Sequence, residues 1–221
     1  AHHLYFDNES AWKYEYILNY DLFLELIDVK RKSFENYLQS IANYNKSQDK
    51  VKILVGTEVD VAVNGNLVFD SRYRDRLDLL IGGIHWLPCL RNDFSYKDLL
   101  VEFLDFTMML MEHKLTILAH PTRIFRANKM EVPNEVIKPI VLKAKEKNIA
   151  IEINSHNYPD PDISFIKACV DEGVKLSLGT DTHRIAEFGD FSIQKGLLKS
   201  AGIHDDMIDS IIFKISGEDQ G

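Results

Sequence analysis

The chain has 221 residues, 45% of them hydrophobic and 27% charged, which is enough material for a sizeable core. A net charge of −8 lacks the basic excess of a general nucleic-acid or anionic-membrane binder, and two cysteines make no disulfide framework. No apolar run approaches the roughly 20 residues that span a bilayer, and no signal-peptide pattern opens the chain. These features lead us to expect one domain over residues 1–221, in a cytoplasmic setting, with Cys89 and Cys169 reduced and without a catalytic role.

In chain order, residues 12–46 read mainly as helix, with Tyr37, Leu38 and Ile41 among its apolar positions. Residues 51–55 form a short β-branched run, which predicts a strand leading into Gly56-Thr57-Glu58. Val59, Val61 and Val63 alternate up to Asn64-Gly65, a hairpin signal before Leu67-Val68-Phe69. Residues 79–84 predict a strand ending at His85. From Ser95, a capping residue, Leu99, Phe103, Phe106 and Leu110 share one helical face. Residues 115–119 predict a strand closed by His120-Pro121, since proline restricts the residue before it. Helices are expected over 133–147, 161–172 and 191–200. Strands are expected over 149–153, 174–178 and 211–215.

Strand alternates with helix, which predicts a mainly parallel sheet with helices outside. Glu58, His85, His120, Asn154, Asp181 and His183 each follow an apolar strand candidate. In a closed α/β barrel such positions converge on one rim, and in an open sheet they line a crevice. Asp181 and His183 lie two apart, so on an extended backbone both side chains point the same way. Imidazole and carboxylate together suit zinc, iron or manganese, and two adjacent ions could activate water and neutralise a phosphoryl group. Each residue alone also has an ordinary reading, as a loop, packing or turn-capping group. Arg123 and Arg184 could pair with a phosphate through a guanidinium fork or make surface ion pairs. His156 could donate a proton, contact substrate or face solvent. Trp86 could wall the pocket or simply pack. His113 and the methionines at 108, 109 and 111 read as helix-end and packing residues.

The motifs AHH at 1–3, GTEVDV at 56–61, GGIHW at 82–86, AHP at 119–121, IEIN at 151–154 and GTDTH at 179–183 occur in one order along nearly the whole chain. In this the sequence resembles the polymerase and histidinol phosphatase (PHP) superfamily, and most closely its stand-alone phosphoesterases of the histidinol-phosphatase type. The resemblance implies an α/β fold, a distorted seven-stranded (β/α) TIM-like barrel, holding two or three divalent ions of zinc, manganese or iron. It implies Glu58 as a bridging carboxylate, His85 and His120 as ligands of one metal, Asp181 as a ligand of its neighbour, and His183 with His3 at a third. The family opens with His-x-His and a further histidine. His2-His3 cannot take both jobs, because adjacent strand residues face opposite ways, so the domain is expected to be N-terminally incomplete and its opening strand missing.

The function expected on this basis is hydrolysis of a small phosphorylated metabolite, a phosphomonoester such as histidinol phosphate. The expected catalytic residues are Glu58, Asp181, Arg184 and His156. A PHP-type phosphodiesterase or nuclease, a noncatalytic metal-binding structural or regulatory module, and an amidohydrolase-like barrel are the alternatives. The acidic charge disfavours extended nucleic acid, and no membrane partner is expected.

Overall fold

The computed structural model describes residues 14–156 and 160–215. Five parallel strands form one sheet: β1 (Gly56–Val59), β2 (Leu79–Gly82), β3 (Ile117–Leu118), β4 (Ala150–Asn154) and β5 (Leu176–Gly179), in the spatial order β1-β2-β3-β4-β5. Every strand neighbours its successor in sequence, so all five C-terminal ends lie along one edge. That edge is where parallel α/β sheets place their ligands. A further parallel bridge, Leu176 to Ile212, continues the sheet beyond β5.

Helix α1 (Tyr20–Ser47) starts where the Asn19 side chain accepts the Asp21 N–H, and it buries Phe23, Phe34, Leu38 and Ile41. Phe34 packs 4.4 Å from the Tyr73 ring centroid and 6.1 Å from that of Phe69. These two aromatics belong to the segment joining β1 to β2, so α1 is pinned against that connection. Helix α2 (Tyr96–Met111) crosses from β2 to β3. Ser95 and Asp98 form a reciprocal capping box, and Leu99, Phe103, Phe106 and Leu110 are all buried, as the helical spacing requires. Helix α3 (Ile137–Lys147) crosses to β4 and α4 (Ile163–Glu172) to β5, ending at Asn148 and Gly173, both left-handed. Helices α5 (Ser192–Ser200) and α6 (Asp205–Ile211) follow.

The structure differs from the sequence expectation at two strands. Residues 51–55 carry β-branched side chains, yet Val51 and Ile53 are exposed. Their backbone is held by side chains of the preceding helix end: Asn45 bonds both polar groups of Ile53, and Gln48 bonds both of Val51. The strand begins only at Gly56, where β2 becomes available as a partner. At the other end, residues 211–215 yield a single bridge at Ile212, because the chain is still helical through Ile211. The Asn64-Gly65 turn forms, with Gly65 at φ +83°, but the hairpin is reduced to one antiparallel bridge, Val61 to Leu67.

Among the described residues no helix is long and apolar enough to cross a membrane. Cys89 and Cys169 are free thiols. Burial, above all, pushes both up to about 12, which fits neither for nucleophilic work.

Candidate metal centre

The sheet's C-terminal edge gathers three of the expected groups into one cluster. Glu58 stands on β1, His85 three residues beyond β2, and His120 two residues beyond β3. Glu58 Oε1 lies 2.9 Å from His120 Nε2 and 3.3 Å from His85 Nε2. The two imidazole rings meet edge to face, with centroids 4.9 Å apart. His120 is buried, and its backbone takes a positive φ of 28°. Asp181, two residues past β5, has φ 44°. Left-handed backbone at a residue other than glycine costs on the order of 1–3 kcal/mol and persists where the surroundings impose it, commonly at functional sites.

Asp60, which sequence reasoning did not assign, orients His85. Its Oδ1 lies 2.9 Å from His85 Nδ1 and also accepts the His85 backbone N–H. Asp60 is buried and hydrogen-bonded to the Tyr16 phenol, whose ionisation is suppressed first by burial and then by that carboxylate. With Nδ1 given to Asp60, Nε2 of His85 is the nitrogen turned to Glu58. Burial alone would favour neutral His85, but Asp60 and Glu58 outweigh it and push the imidazole up to about 10. Burial would likewise push Glu58 up, yet His85 and His120 hold it well below the usual carboxylate range. Positive charge is therefore strongly favoured at the point where these side chains meet.

Glu152 is a second group that sequence reasoning passed over, although it lies within the quoted IEIN motif. Its Oε2 accepts the His120 N–H at 2.8 Å and an Asn154 Nδ2–H at 3.1 Å. Burial raises its carboxyl above the ordinary range. The room comes from β5: a Cβ on Gly179 would stand 1.8 Å from Glu152 Oε1. Asn154 also reaches Asp181, with Nδ2 to Oδ2 at 3.4 Å, and so links Asp181 to the His120 side of the cluster.

Three observations test whether the first cluster fits a metal ion. Glu58 Oε1 is buried with two imidazole nitrogens turned on it, and His120 Nδ1 is buried without a hydrogen-bond partner. Gly83 leaves a cradle beside them, since a Cβ there would lie 2.8 Å from Glu58 Oε1, 2.9 Å from His120 Cε1 and 3.0 Å from His85 Cε1. The donors are one carboxylate and two imidazoles with all ligand atoms within 4.8 Å of one another, a set suited to zinc-like ions. The residues fit such an ion.

His183 stands in a different group. Its ring stacks on His156 with centroids 4.2 Å apart and planes at 19°. His156 Nδ1 lies 3.5 Å from Glu187 Oε2, which also accepts the His183 N–H at 2.9 Å. That backbone bond, followed by burial acting the other way and then a bond from Arg184, holds the Glu187 carboxyl below its ordinary range. Arg184 is exposed and lines an open cavity of about 320 Å³ with Ser155, His156, Glu187, Asp190 and Ile193. Asp181 Oδ1 lies 3.7 Å from His183 Nδ1. His3 lies outside the described residues. Trp86 stacks on Tyr14 at 5.8 Å beside the first cluster, and Arg123 opens the helical turn that follows His120. His113 is accounted for by a 2.8 Å bond to the Gly65 carbonyl.

A parallel sheet with carboxylates and imidazoles along its C-terminal edge defines a class of α/β metal-binding proteins, and residues 19–156 match the PHP domain, more than half of the chain. The chain belongs to the PHP family. It is 32% identical over 181 residues to a probable phosphatase of Clostridium acetobutylicum, covering 75% of this chain and 68% of that protein. It is 26% identical over 165 residues to a probable phosphatase of Aeromonas hydrophila, covering 70% and 61%, and 29% identical over 168 residues to one of Clostridium novyi, covering 72% and 63%. The chain thus spans about two thirds of the length of these relatives.

Proposed function

We propose that the protein is a metal-dependent phosphoesterase acting on a small phosphomonoester. The observation that carries this reading is the Glu58–His85–His120 cluster, in which one carboxylate oxygen faces two imidazole nitrogens beside the Gly83 cradle. The likeness to probable phosphatases supports the reaction class. In this reading Glu58, His85, His120 and Asp181 are the residues that would hold the divalent ions, with Glu58 as the carboxylate they would share. Divalent ions held there would polarise phosphoryl oxygens and make water a stronger nucleophile. Asp60 keeps His85 in the tautomer that presents Nε2, and Glu152 fixes the His120 backbone. Arg184, at the rim of the open cavity, neutralises phosphate oxygens, and His156 beside it contacts substrate or supplies a proton to the leaving alcohol. The family's resemblance adds a seven-stranded barrel of which β1 to β5 form an arc, a third ion at His183 and His3, and histidinol phosphate as one candidate ester.

The test is phosphate release by full-length protein after chelation, with and without added Mn²⁺ or Zn²⁺. The panel should hold phosphomonoesters, a phosphodiester and a short oligonucleotide. The reading expects metal-dependent release from a monoester. Turnover confined to diesters would favour a nuclease-like activity, and metal binding without any turnover would favour a noncatalytic module.

A further inference from the structure

We infer that a cavity on the face of the sheet opposite Glu58 is a second ligand site, taking a small organic oxyanion with a compact apolar body. The cavity is about 360 Å³, a size that small-molecule sites share. Thr57 of β1 pairs with Leu80 of β2, and Glu58 pairs with Ile81. Side chains alternate along a strand, so Leu80 and Glu58 point to opposite faces. Leu80 is buried and lines the cavity. A Cβ on Gly82, which shares the face of Leu80, would meet Leu110 and Leu115, so this is the face that α2 covers. The cavity therefore lies in the helical layer and is separate from the metal centre. Binding there is independent of phosphatase activity.

Three side chains tie together the segments that enclose it. Tyr20, which opens α1, donates its hydroxyl to the Leu67 carbonyl at 3.1 Å. His113, just past α2, stands 2.8 Å from the Gly65 carbonyl through Nε2, and since a carbonyl only accepts, that nitrogen carries the proton. Arg74, on the 3-10 turn Ser71–Arg76, donates to the Lys114 carbonyl. These bonds shape the cavity before a ligand arrives, and the buried Phe69 and Leu80 give it an apolar lining. Its charge points to the ligand. Arg72 and Arg76, on the same turn as Arg74, are taken up by carboxylates, Arg72 by Asp70 and Asp28 and Arg76 by Glu35. Among the described residues Arg74 and Lys114 have no carboxylate partner, and no carboxylate side chain lines the cavity. Asp70, whose charge reaches the Tyr20 phenol, is buried and held by Nε and Nη2 of Arg72. Arg74 keeps the rest of its guanidinium fork, which suits a carboxylate or phosphate group. In a chain of net charge −8, two cations left without acids beside an apolar lining fit an anion with an apolar body.

Equilibrium dialysis of full-length protein against benzoate and against phenylphosphonate, with benzyl alcohol as the uncharged control, tests the site. At least one of the two anions should bind saturably and more tightly than benzyl alcohol, and the tighter of them names carboxylate or phosphate as the head group. Arg74→Gln and Lys114→Gln should each weaken that anion about tenfold, the scale of a hydrogen bond to a charged group. Because Arg74 also holds the Lys114 backbone, Lys114→Gln decides if Arg74→Gln disturbs folding. Glu58→Gln should leave the Lys114-dependent equivalent in place. No saturable binding of either anion, equal binding by wild type and Lys114→Gln, or loss of that equivalent in Glu58→Gln would overturn the inference.

Discussion

His120 Nε2 sits 2.9 Å from Glu58 Oε1 although the two residues come from strands separated by β2. They meet because Gly83, just beyond β2, presents no Cβ between them. Gly83→Ala would place a methyl 2.8 Å from Glu58 Oε1 and within about 3 Å of both imidazoles. The expected result is at least a tenfold loss of metal affinity at this cluster, with about 1–3 kcal/mol of destabilisation from overpacking. Metal titration alongside thermal unfolding checks both.

Asp60→Asn keeps the size of the side chain and removes the charge that orients His85. Partners of metal-bound histidines typically contribute 10–100-fold to affinity, and a loss in that range is expected here. The same substitution should lower the His85 imidazole from about 10, since Asp60 is the largest influence raising it. An NMR titration of metal-free protein reads this directly. An unchanged His85 titration would show that Asp60 does not control the ring.

Asp160, whose carboxyl also feels the His120 imidazole, gives a pH dependence of its own. It is fully buried, its Oδ1 accepts the Thr122 N–H and hydroxyl, and burial pushes its carboxyl up to about 6. The folded value lies above the unfolded one, so the stabilising contribution is fully present below about pH 4 and is lost as pH rises through 6. Asp160→Asn should remove that slope. Relative to the variant, the wild type should lose on the order of 2 kcal/mol between pH 4 and pH 7. Denaturant unfolding across this range decides, and parallel curves would contradict the assignment.

The core beneath the site offers a check on the fold. Phe103 is buried and meets Phe125 edge to face at 4.9 Å, and Phe125 lies in the helical turn that follows His120. Phe103→Ala should cost about 3–5 kcal/mol. It should also weaken metal binding, because the loop carrying His120 rests on that pair. Loss of stability with unchanged affinity would separate the two.

How much of this was legible in the sequence depended on range. The α2 face and the Ser95 cap could be read because each rests on neighbours within one or two helical turns. Glu58, His85 and His120 could be listed, since each follows an apolar run, but their meeting depends on strand order. Asp60 lay two residues from Glu58, on the same strand-side alternation, and that spacing was the available signal. Glu152 interrupts an apolar strand, yet the partner that matters for the site, the His120 N–H, lies past the end of β3 and leaves no local trace. Glu187 ends a short 3-10 turn (Ile185–Glu187) four residues after His183, where nothing in the pattern sets it apart. Residues 51–55 misled because β-branched propensity cannot make a strand without a neighbour to pair with.

Metal content and turnover of Glu58→Gln test the central claim most directly. Gln preserves most of the volume at the mouth of the Gly83 cradle and removes the carboxylate charge that His85 and His120 face. The full-length variant is predicted to keep wild-type circular dichroism, to lose metal from the buried cluster, and to release phosphate at least a hundredfold more slowly. A folded Glu58→Gln protein with its full complement of metal and near-normal phosphomonoester turnover would contradict the account.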